Sequence, residues 1–597
     1  MHLRSIHFTL VPICITVVTA DFLGPSYPTP VDLSSNHSIV SQSWDQLTST
    51  LQSYLHDAVQ DCSTAGLSGI GNITFSIGMF SLNDPHATDL QFHYTSPEIA
   101  NATNGTHNVD SNSIYRLASV TKVFTVLAGL LCLTPADWER PLTEIVPAFD
   151  RISQRAAVKD PIDTIQWNEV TPSALAAQIG GVTRDIMPFG IGDLLYQAAL
   201  NPALDLTSFG LPTINFTDAQ VYSPCVLAAL EGFICNDTEY FESAATQAPT
   251  FEPWTTPGYS DNGFALLGLA IGAISGKSIE DVYQQSIFDP LGMQSSNSST
   301  PPASEWYRSV IPDVAGFALD AGPLVSTGGL LSTTNDLAKF GIGILNSTLL
   351  PSDQTRKWLK PATDTARMQF AVGRPWEIIR YTLPSGHITD IYTKLGDSGY
   401  YSSWLVLIPD YNAGFTILSA STELTRFNLV ANLTELVGST IVPALEGQAA
   451  AEAKANFVGT YSSSIPGLNS SLTLVHDQTA IDAPGLVISS WISNSTDMLS
   501  TFPNSFGPQP WRLVPSISDP KNGKAAFFLV SASDAPSLKE VTRLFSSPGY
   551  ISPDWIDNDS FTYGGLSMGS FVFDVEQGQK ATSVSPVALR ITLKRVG

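Results

Sequence analysis

The sequence predicts an α+β fold, in which an antiparallel sheet packs against helices, followed by a separate all-β domain. After Ser119-Val120-Thr121-Lys122, the residues 123–131 are apolar on nearly every side, which is typical of a helix buried inside a domain. Apolar and polar residues alternate over 73–79, and 90–94 returns as a second strand after a turn. Beyond residue 457, short alternating runs separated by turns favour an all-β unit.

Four helices are predicted in the first domain besides the one after Ser119. Apolar residues at helical spacing predict an amphipathic helix over 43–62 and a second buried helix over 264–271. Thr333 precedes Asp336 by three residues and predicts an N-terminal cap for a helix. A helix near 424–445 closes the unit.

Two apolar runs flank the turn Pro409-Asp410-Tyr411-Asn412-Ala413-Gly414. They are residues 404–408 and 415–418, and they predict a central antiparallel hairpin. Residues 393–396 lead directly into this hairpin.

The segment 183–252 is rich in Pro, Thr and Asn and is predicted to be a long excursion from the core. Two interpretations remain open. The excursion is either a lid or substrate wall, or a glycosylated surface loop.

Three parts of the chain follow from these patterns: a leader of residues 1–20, a main domain of 21–447 and a C-terminal β-rich domain of 448–597. Residues 448–454 are interpreted as a linker. The strands predicted in the last domain are 472–474, 486–488, 526–530, 571–573 and 589–593.

Residues 1–20 are typical of a secretory signal. A modestly positive start is followed by the short apolar core 8–18 and by Val18-Thr19-Ala20, a small-residue cleavage site before Asp21. The apolar run is well short of the roughly 20 residues that a membrane span needs. We therefore expect an extracellular protein with no membrane anchor.

Secretion predicts disulfides, because four cysteines remain after Cys14 is removed with the leader. Cys225 and Cys235 flank a short apolar segment and are expected to pair, which leaves Cys62 with Cys132 by elimination. Twelve Asn-x-Ser/Thr sequons predict N-glycosylation. They begin at Asn36, Asn72, Asn101, Asn104, Asn215, Asn236, Asn297, Asn346, Asn432, Asn469, Asn494 and Asn558.

Charge and composition exclude several classes of partner. The net charge of −25 disfavours nucleic acids and anionic membranes, so neither is expected as a partner. The nine histidines are scattered and no Cys-x-x-Cys pair is present, so we expect neither a metal nor another cofactor. Nothing in the sequence determines the oligomeric state.

Ser119 and Lys122 lie three residues apart at a helix N-terminus, where side chains share one face. A hydroxyl beside an amine of lowered pKa is a candidate activated nucleophile. Ser518 and Lys521 have the same spacing, but Pro520 and Asn522-Gly523 indicate a turn there.

Three motifs follow one another on helix, loop and strand: Ser119-Val120-Thr121-Lys122, Tyr259-Ser260-Asp261 and Lys394-Leu395-Gly396. Their order resembles the serine β-lactamase and penicillin-binding-protein superfamily, especially its class C-like branch of secreted esterases, peptidases and acyltransferases. The resemblance covers roughly 45–445. It implies an α/β sandwich in which an all-helical subregion holds the nucleophile.

The resemblance also implies a role for each motif. Ser119 would form an acyl-enzyme with an ester, amide or peptide substrate. Lys122 and Tyr259 would move its proton, with the Tyr259 phenolate favoured by Lys122 and Lys394. The backbone N–H groups of Ser119 and of Asp397, which follows Gly396, would hold the oxyanion.

Two positions depart from the family pattern. Asp261 stands where family members commonly have asparagine, and Leu395 replaces a threonine that often helps hold a substrate carboxylate. Both changes count against an efficient β-lactamase and favour another ester or amide.

Alternative functions remain open. An acyltransferase would use the same acyl-enzyme, and a β-lactamase-like binding or structural protein of weak activity would also tolerate Asp261 and Leu395. Gly565-Leu566-Ser567-Met568-Gly569 matches an α/β-hydrolase elbow, but the strand-like run 571–573 follows where that elbow needs a helix.

Overall fold

The computed structural model describes most of residues 23–596. It omits 57–65, 148–149, 152–153, 155–160, 187–193, 195–197, 199–200, 202, 213–222, 231–232, 246, 477–483, 504–508, 532–559 and 577–579. The expected leader, Cys62, Asn215 and Asn558 therefore lie outside the described residues. The chain divides into two compact units, Val31–Tyr381 with Asp390–Ala444, and Met1–Pro30 with Thr382–Thr389 and Leu445–Gly597. The domain boundaries given above stay a prediction.

The larger unit is built on an eight-stranded sheet. The hairpin expected from the sequence lies near its centre, where Phe415 pairs with Val406 and Met79 pairs with Phe415 in antiparallel registers. The strands follow one another in space as Gln91–Tyr94, Thr74–Ser81, Ala413–Ala420, Tyr401–Ile408, Ile388–Ser398, Glu377–Thr382, Phe370–Val372 and Thr363–Asp364.

Helices cover this sheet, and the longest described ones are those that the apolar periodicity predicts. Thr333 accepts a hydrogen bond from the backbone N–H of Asp336, which confirms the predicted cap. The longer helices are Ile39–His56, Thr121–Cys132, Asp261–Ser275, Thr334–Leu345 and Arg426–Phe457. Shorter ones are Pro97–Ala100, Pro135–Trp138, Leu142–Ile145, Pro172–Ala176, Pro224–Leu230, Asp237–Ala245, Ile279–Tyr283, Asp289–Leu291, Val314–Phe317, Val325–Gly328 and Ser352–Trp358.

The helix Thr121–Cys132 lies in the core, as its composition predicts. Its residues from Thr121 to Gly129 are buried, and Phe124 stacks on Phe340 with 3.8 Å between ring centroids. Its polar Thr125 is satisfied, since Oγ1 lies 2.7 Å from the Tyr283 hydroxyl and 2.6 Å from the Ser326 carbonyl oxygen. A helix held on all sides in this way gives its first turn a fixed position.

The smaller unit contains a nine-stranded sheet. An additional pairing between Ser471–Val475 and Leu486–Ser493 joins its two ends, which leaves few unpaired edges. Its interior holds Phe457, Phe527 and Phe573 with ring centroids 5.0–5.3 Å apart. In spatial order the strands are Ser471–Val475, Gly459–Ser462, Leu593–Val596, Ala581–Pro586, Ser570–Val575, Lys524–Val530, Arg512–Asp519, Leu486–Ser493 and Thr496–Asp497.

Two local predictions are wrong. The segment 448–454 is not an irregular linker but part of the helix Arg426–Phe457, because its Ala, Glu, Gln and Lys residues are strong helix formers and Ala449 and Ala453 are buried. The strand predicted over 589–593 starts only at Leu593, because a turn ends at Arg590, whose φ of 54° lies in the left-handed region.

Among the described residues, no single helix is long and apolar enough to cross a membrane. The helices Asp261–Ser275 and Ile279–Leu291 form a pair bent by 79°. Together they are long and apolar enough to cross a membrane, but this holds by length and composition only.

Candidate active site

Ser119 lies in a tight turn directly before the buried helix. Leu117 N–H donates to Leu330 O at 2.8 Å, and Ser403 Oγ donates to Leu117 O at 2.6 Å, so both flanking segments hold the turn. Ala118 has a φ of 45°, a left-handed conformation that costs an alanine roughly 1 kcal/mol. The turn therefore presents Ser119 in one enforced orientation.

Lys122 contacts the Ser119 hydroxyl from within the protein. Its side chain is fully buried, and its Nζ atom lies 2.8 Å from Ser119 Oγ. The same nitrogen lies 2.5 Å from Asp261 Oδ1 and 2.8 Å from the carbonyl oxygen of Thr327. Burial lowers the pKa of Lys122, and the adjacent Asp261 carboxylate opposes that shift.

Tyr259 contacts Ser119 from the second motif. Its hydroxyl donates to Ser119 Oγ at 2.6 Å, and its ring centroid lies 5.0 Å from Lys122 Nζ and 5.2 Å from Lys394 Nζ. Although 37% of the residue is exposed, loss of water around the hydroxyl raises the pKa of Tyr259 to about 12. The expected phenolate is therefore not favoured, because burial disfavours it and the charges of Asp261 and Glu377 oppose that of Lys394.

Asp261 faces Lys122, whereas the next residue, Asn262, does not. Asn262 is fully buried, and its Oδ1 atom accepts from the Tyr240 hydroxyl at 3.2 Å. Ser260 caps the helix Asp261–Ser275 by accepting from Gly263 N–H at 2.7 Å, which fixes the direction of Asp261. Thus an acid, and not the neighbouring amide, contacts the lysine.

The third motif lies on the strand Ile388–Ser398 beside the nucleophile turn. A Cβ atom on Gly396 would overlap Leu117 O and lie 3.0 Å from Ser119 N, so only a glycine allows the strand this close. Asp397 follows, and its carboxylate binds Arg426 Nη2 at 2.9 Å and Ser402 Oγ at 2.5 Å. Because the Asp397 side chain binds Arg426, only the backbone of Asp397 is available to the site.

Lys394 is neutralised by a residue that the sequence motifs do not indicate. Its Nζ atom lies 2.5 Å from Glu377 Oε1, and Glu377 Oε2 accepts from Leu395 N–H at 2.9 Å. The lysine is buried and also donates to Leu395 O at 2.7 Å. A substrate carboxylate would therefore compete with Glu377 for this cation.

A cavity of about 200 Å³ opens onto Ser119 and is lined by Asp185, Asp261 and Asp397 among others. Asp185 and Asp261 both line this cavity, and Asp185 Oδ2 lies 3.1 Å from Arg184 Nε. Burial, followed by the negative charge of Asp261, raises the pKa of Asp185 to about 6. Asp185 and Ile186 begin the predicted excursion, which thus supplies part of the cavity wall.

The structure brings Ser119, Lys122, Tyr259 and Lys394 together, with Asp261, Gly396 and Asp397 around them. The motifs do not indicate Glu377 or Asp185, because neither residue belongs to a recognisable sequence pattern. Within the described residues, no group of three or more His, Cys, Asp or Glu side chains could hold a metal ion.

One of the two expected disulfides is present, between Cys225 and Cys235. Cys132 forms no disulfide with a described cysteine, and its expected pairing with Cys62 stays a prediction because Cys62 is not described. The sequons also stay predictions. Of the described ones, Asn297 and Asn432 are half-buried and the others are exposed.

The Lys122 amine and the Tyr259 hydroxyl both contact the Ser119 hydroxyl, in a helical region beside an antiparallel sheet. This arrangement is typical of the class of Ser-x-x-Lys hydrolases. Residues 89–437 match the beta-lactamase family, and 449–597 match a domain described as "Beta-lactamase-like-like, C-terminal domain". Because the first match spans more than half of the chain, the protein belongs to the beta-lactamase family, in the serine β-lactamase and penicillin-binding-protein superfamily.

The chain is also similar to individual curated proteins and to a solved structure. The chain is 29% identical to a beta-lactamase-like protein of Arthroderma benhamiae, over 95% of each chain. It is 24% identical to the probable hydrolase M10 of a Phoma species, over 84% of this chain and 82% of the relative. A beta-lactamase/D-alanine carboxypeptidase structure from Yersinia pestis, complexed with citrate, is 16% identical with a TM-score of 0.45, over 68% of this chain and all of that one. The family and the Phoma relative, a probable hydrolase, support a hydrolase.

Proposed function

We propose that this protein is a secreted serine hydrolase that cleaves an ester or amide through an acyl-enzyme on Ser119. The observation that supports this most directly is the convergence on Ser119 Oγ of Lys122 Nζ at 2.8 Å and the Tyr259 hydroxyl at 2.6 Å. A nucleophile with an adjacent base and a second proton carrier is the arrangement that acyl transfer needs.

The proposed reaction has two balanced steps. Ser119 Oγ bonds to the substrate carbonyl carbon, its proton passes to Lys122, and the leaving alcohol or amine departs with a proton. Water then attacks the acyl carbon, which releases the acid and returns the proton to Ser119. The backbone N–H groups of Ser119 and Asp397 are the proposed oxyanion donors, since the close approach of Gly396 brings both segments to one edge of the cavity.

The charges around the cavity support a preference for neutral esters over penicillin-like carboxylates. Lys394 is already paired with Glu377, and Leu395 offers no hydroxyl to a carboxylate. Binding such a substrate would require displacing the Glu377 ion pair in a buried setting, which is costly.

A fluorophosphonate probe followed by peptide mass spectrometry tests the nucleophile. We expect one labelled residue, Ser119, and no label in Ser119→Ala. The matched control is Ser567→Ala, which removes the serine of the Gly-x-Ser-x-Gly match. Ser567 lies in a two-residue strand that is followed by another strand, so this variant should label normally. Absence of label on folded wild-type protein, or label that persists in Ser119→Ala, would favour the binding-protein interpretation.

Export is part of the same proposal. It is supported by the leader pattern and by the Cys225–Cys235 disulfide, which persists in oxidising compartments. We expect the protein in the culture medium to begin at Asp21. An intracellular protein that retains residues 1–20 would contradict this.

A further inference from the structure

Tyr259 lies in an irregular segment, although its role at Ser119 requires a fixed position. Residues 256–260 form neither helix nor strand, and they end where the helix Asp261–Ser275 begins. Tyr259 is 37% exposed, and its hydroxyl must stay within hydrogen-bond reach of Ser119 Oγ, at 2.6 Å in the structure. Exposed irregular segments are ordinarily mobile, so other residues must hold the backbone here.

Gln178 binds the backbone on both sides of Tyr259. Its carbonyl oxygen accepts from Gly258 N–H at 2.8 Å, and its side-chain Oε1 atom accepts from Ser260 N–H at 2.8 Å. Gln178 is only 7% exposed, so water competes little for either acceptor. Two short hydrogen bonds to the flanking peptide groups fix the direction in which the Tyr259 side chain leaves the backbone.

The backbone conformation of Gln178 is unusual for a glutamine. The residue follows the C-cap of the helix Pro172–Ala176 and has a φ of 62°, in the left-handed region. Its N–H donates to Leu175 O at 3.1 Å, and Ile179 N–H donates to Ala174 O at 2.9 Å, which is the pattern of a Schellman motif. Glycine is the usual residue at this place in the motif. The left-handed conformation thus points to a functional reason for a side chain here.

Two further bonds join the same part of the chain to the second motif. The Thr183 carbonyl oxygen accepts from Ser260 Oγ at 2.7 Å. The Arg184 carbonyl oxygen accepts from Asn262 N–H at 2.9 Å. Both bonds hold residues that come after the tyrosine. Loss of the Gln178 side chain should therefore loosen the tyrosine without detaching the helix that follows it.

We propose that Gln178 is a positioning residue that holds the Tyr259 hydroxyl against Ser119 by binding the peptide groups on both sides of Tyr259. This inference rests on the proposed acyl-enzyme function, because Gln178 acts on the nucleophile only through Tyr259. Gln178 is not among the described residues that line the cavity. Its loss should therefore change how fast Ser119 reacts and not how well a probe binds.

The test is the rate of Ser119 labelling by a fluorophosphonate, measured on the full-length protein as a function of probe concentration. Gln178→Met removes the Oε1 acceptor and keeps the approximate size of the side chain. We expect the maximal rate to fall by about tenfold, because a displacement of the Tyr259 hydroxyl by about 1 Å weakens its contact with Ser119. The probe concentration that gives half of the maximal rate should stay within about twofold of the wild-type value.

A double-mutant cycle shows whether this effect passes through Tyr259. In Tyr259→Phe the hydroxyl is absent, so adding Gln178→Met should slow labelling by less than about twofold. A further loss of about tenfold in the Tyr259→Phe background would overturn the proposal, because Gln178 would then act by another route. Unchanged labelling in Gln178→Met would overturn it as well.

Gln178→Gly tests the same contact in a variant that suits the backbone. Glycine adopts a φ of 62° readily and keeps the carbonyl bond to Gly258 N–H, so this variant should fold even if Gln178→Met folds poorly. It lacks the Oε1 acceptor, and we expect the same loss of about tenfold in the maximal rate. A wild-type rate in Gln178→Gly would contradict the proposal.

Gln91→Met is the matched control. Gln91 is half-buried, and its side-chain amide donates to Thr88 O at 2.7 Å and to Asn335 Oδ1 at 3.1 Å, outside the described cavity lining. This variant should label at the wild-type rate, and an equal loss in it would count against a specific role for Gln178. Absence of label in the wild-type protein would overturn the acyl-enzyme and this inference together. Additive losses in the cycle, with Ser119 still labelled, would overturn this inference alone.

Discussion

The backbone of Gly396 passes so close to the carbonyl oxygen of Leu117 that a Cβ atom on residue 396 would overlap that oxygen. The same Cβ would lie 2.5 Å from Ser403 Oγ, the group that donates to Leu117 O. The strand of the third motif and the turn of the first are thus in direct backbone contact. The position of Ser119 relative to the sheet depends on this contact.

Gly396→Ala should therefore impair both folding and activity. We expect a loss of about 2 kcal/mol in the free energy of unfolding, because the strand must shift away from the turn. Fluorophosphonate labelling of Ser119 should slow by about 100-fold, because a displacement of about 1 Å misaligns the site. Denaturant unfolding and labelling kinetics measure the two effects.

Gly438→Ala is the control for this substitution. Gly438 lies in the helix Arg426–Phe457, and a Cβ atom there meets no atom within 4 Å. The alanine should stabilise the protein by about 0.5–1 kcal/mol and leave labelling unchanged. Equal behaviour of the two variants would mean that the close approach at Gly396 is unimportant.

Tyr259→Phe should slow Ser119 labelling by about 10- to 100-fold to a similar extent at every pH from 6 to 9. The pKa of Tyr259 is raised to about 12, so its neutral phenol persists across this range and the lost hydrogen bond is the same throughout. A labelling rate measured at several pH values tests this. Tyr307→Phe, at a 69% exposed tyrosine, is the control and should have no effect. A loss confined to high pH would instead indicate a phenolate base.

Glu377→Gln should change the preference for substrate charge. It removes the carboxylate bound to Lys394 but keeps an acceptor for Leu395 N–H. The freed cation should raise kcat/KM for a penicillin by about tenfold relative to a short p-nitrophenyl ester. The ratio of the two kcat/KM values is the measurement, and Asp390→Asn should leave it unchanged. An unaltered ratio in Glu377→Gln would show that Lys394 does not influence substrate charge.

The sequons should differ in occupancy. The Nδ2 atom of Asn432, which would carry the sugar, donates to Gly66 O at 2.8 Å and lies in close contact with Gly66. We expect glycan at the exposed Asn104 and Asn346 but none at Asn432. Glycopeptide mass spectrometry of secreted protein decides this. A glycan on Asn432, or bare asparagine at both exposed positions, would contradict the expectation.

The sequence predicts the parts of this protein that depend on local pattern. The buried helix after Ser119, the capped helix after Thr333 and the hairpin around Pro409 follow from periodicity and turn residues, and all three occur. The motifs also predict which side chains meet at Ser119. Short segments with mixed signals, such as 448–454 and 589–593, were assigned wrongly because helix propensity and a left-handed turn outweigh the apparent pattern.

The electrostatics of the site could not be predicted in the same way. The sequence shows the positive charges of Lys122 and Lys394 near Tyr259, and these alone favour a phenolate. In the structure Lys122 pairs with Asp261 and Lys394 pairs with Glu377. Asp185 and Asp261 line the same cavity although 76 residues separate them in sequence, and no spacing rule indicates this. Ion pairs between residues far apart in sequence can be identified only from the folded structure.

The bond from Tyr240 to Asn262 has a chemical consequence. Tyr240 lies on the helix Asp237–Ala245, which begins two residues after Cys235, and Ser243 of that helix accepts the N–H of Cys225 at 3.0 Å. The disulfide thus helps to fix the helix Asp237–Ala245, whose Tyr240 donates a hydrogen bond to Asn262, the residue after Asp261. Dithiothreitol should therefore loosen the helix Asp237–Ala245 and slow fluorophosphonate labelling of Ser119 at concentrations that leave the sheet folded.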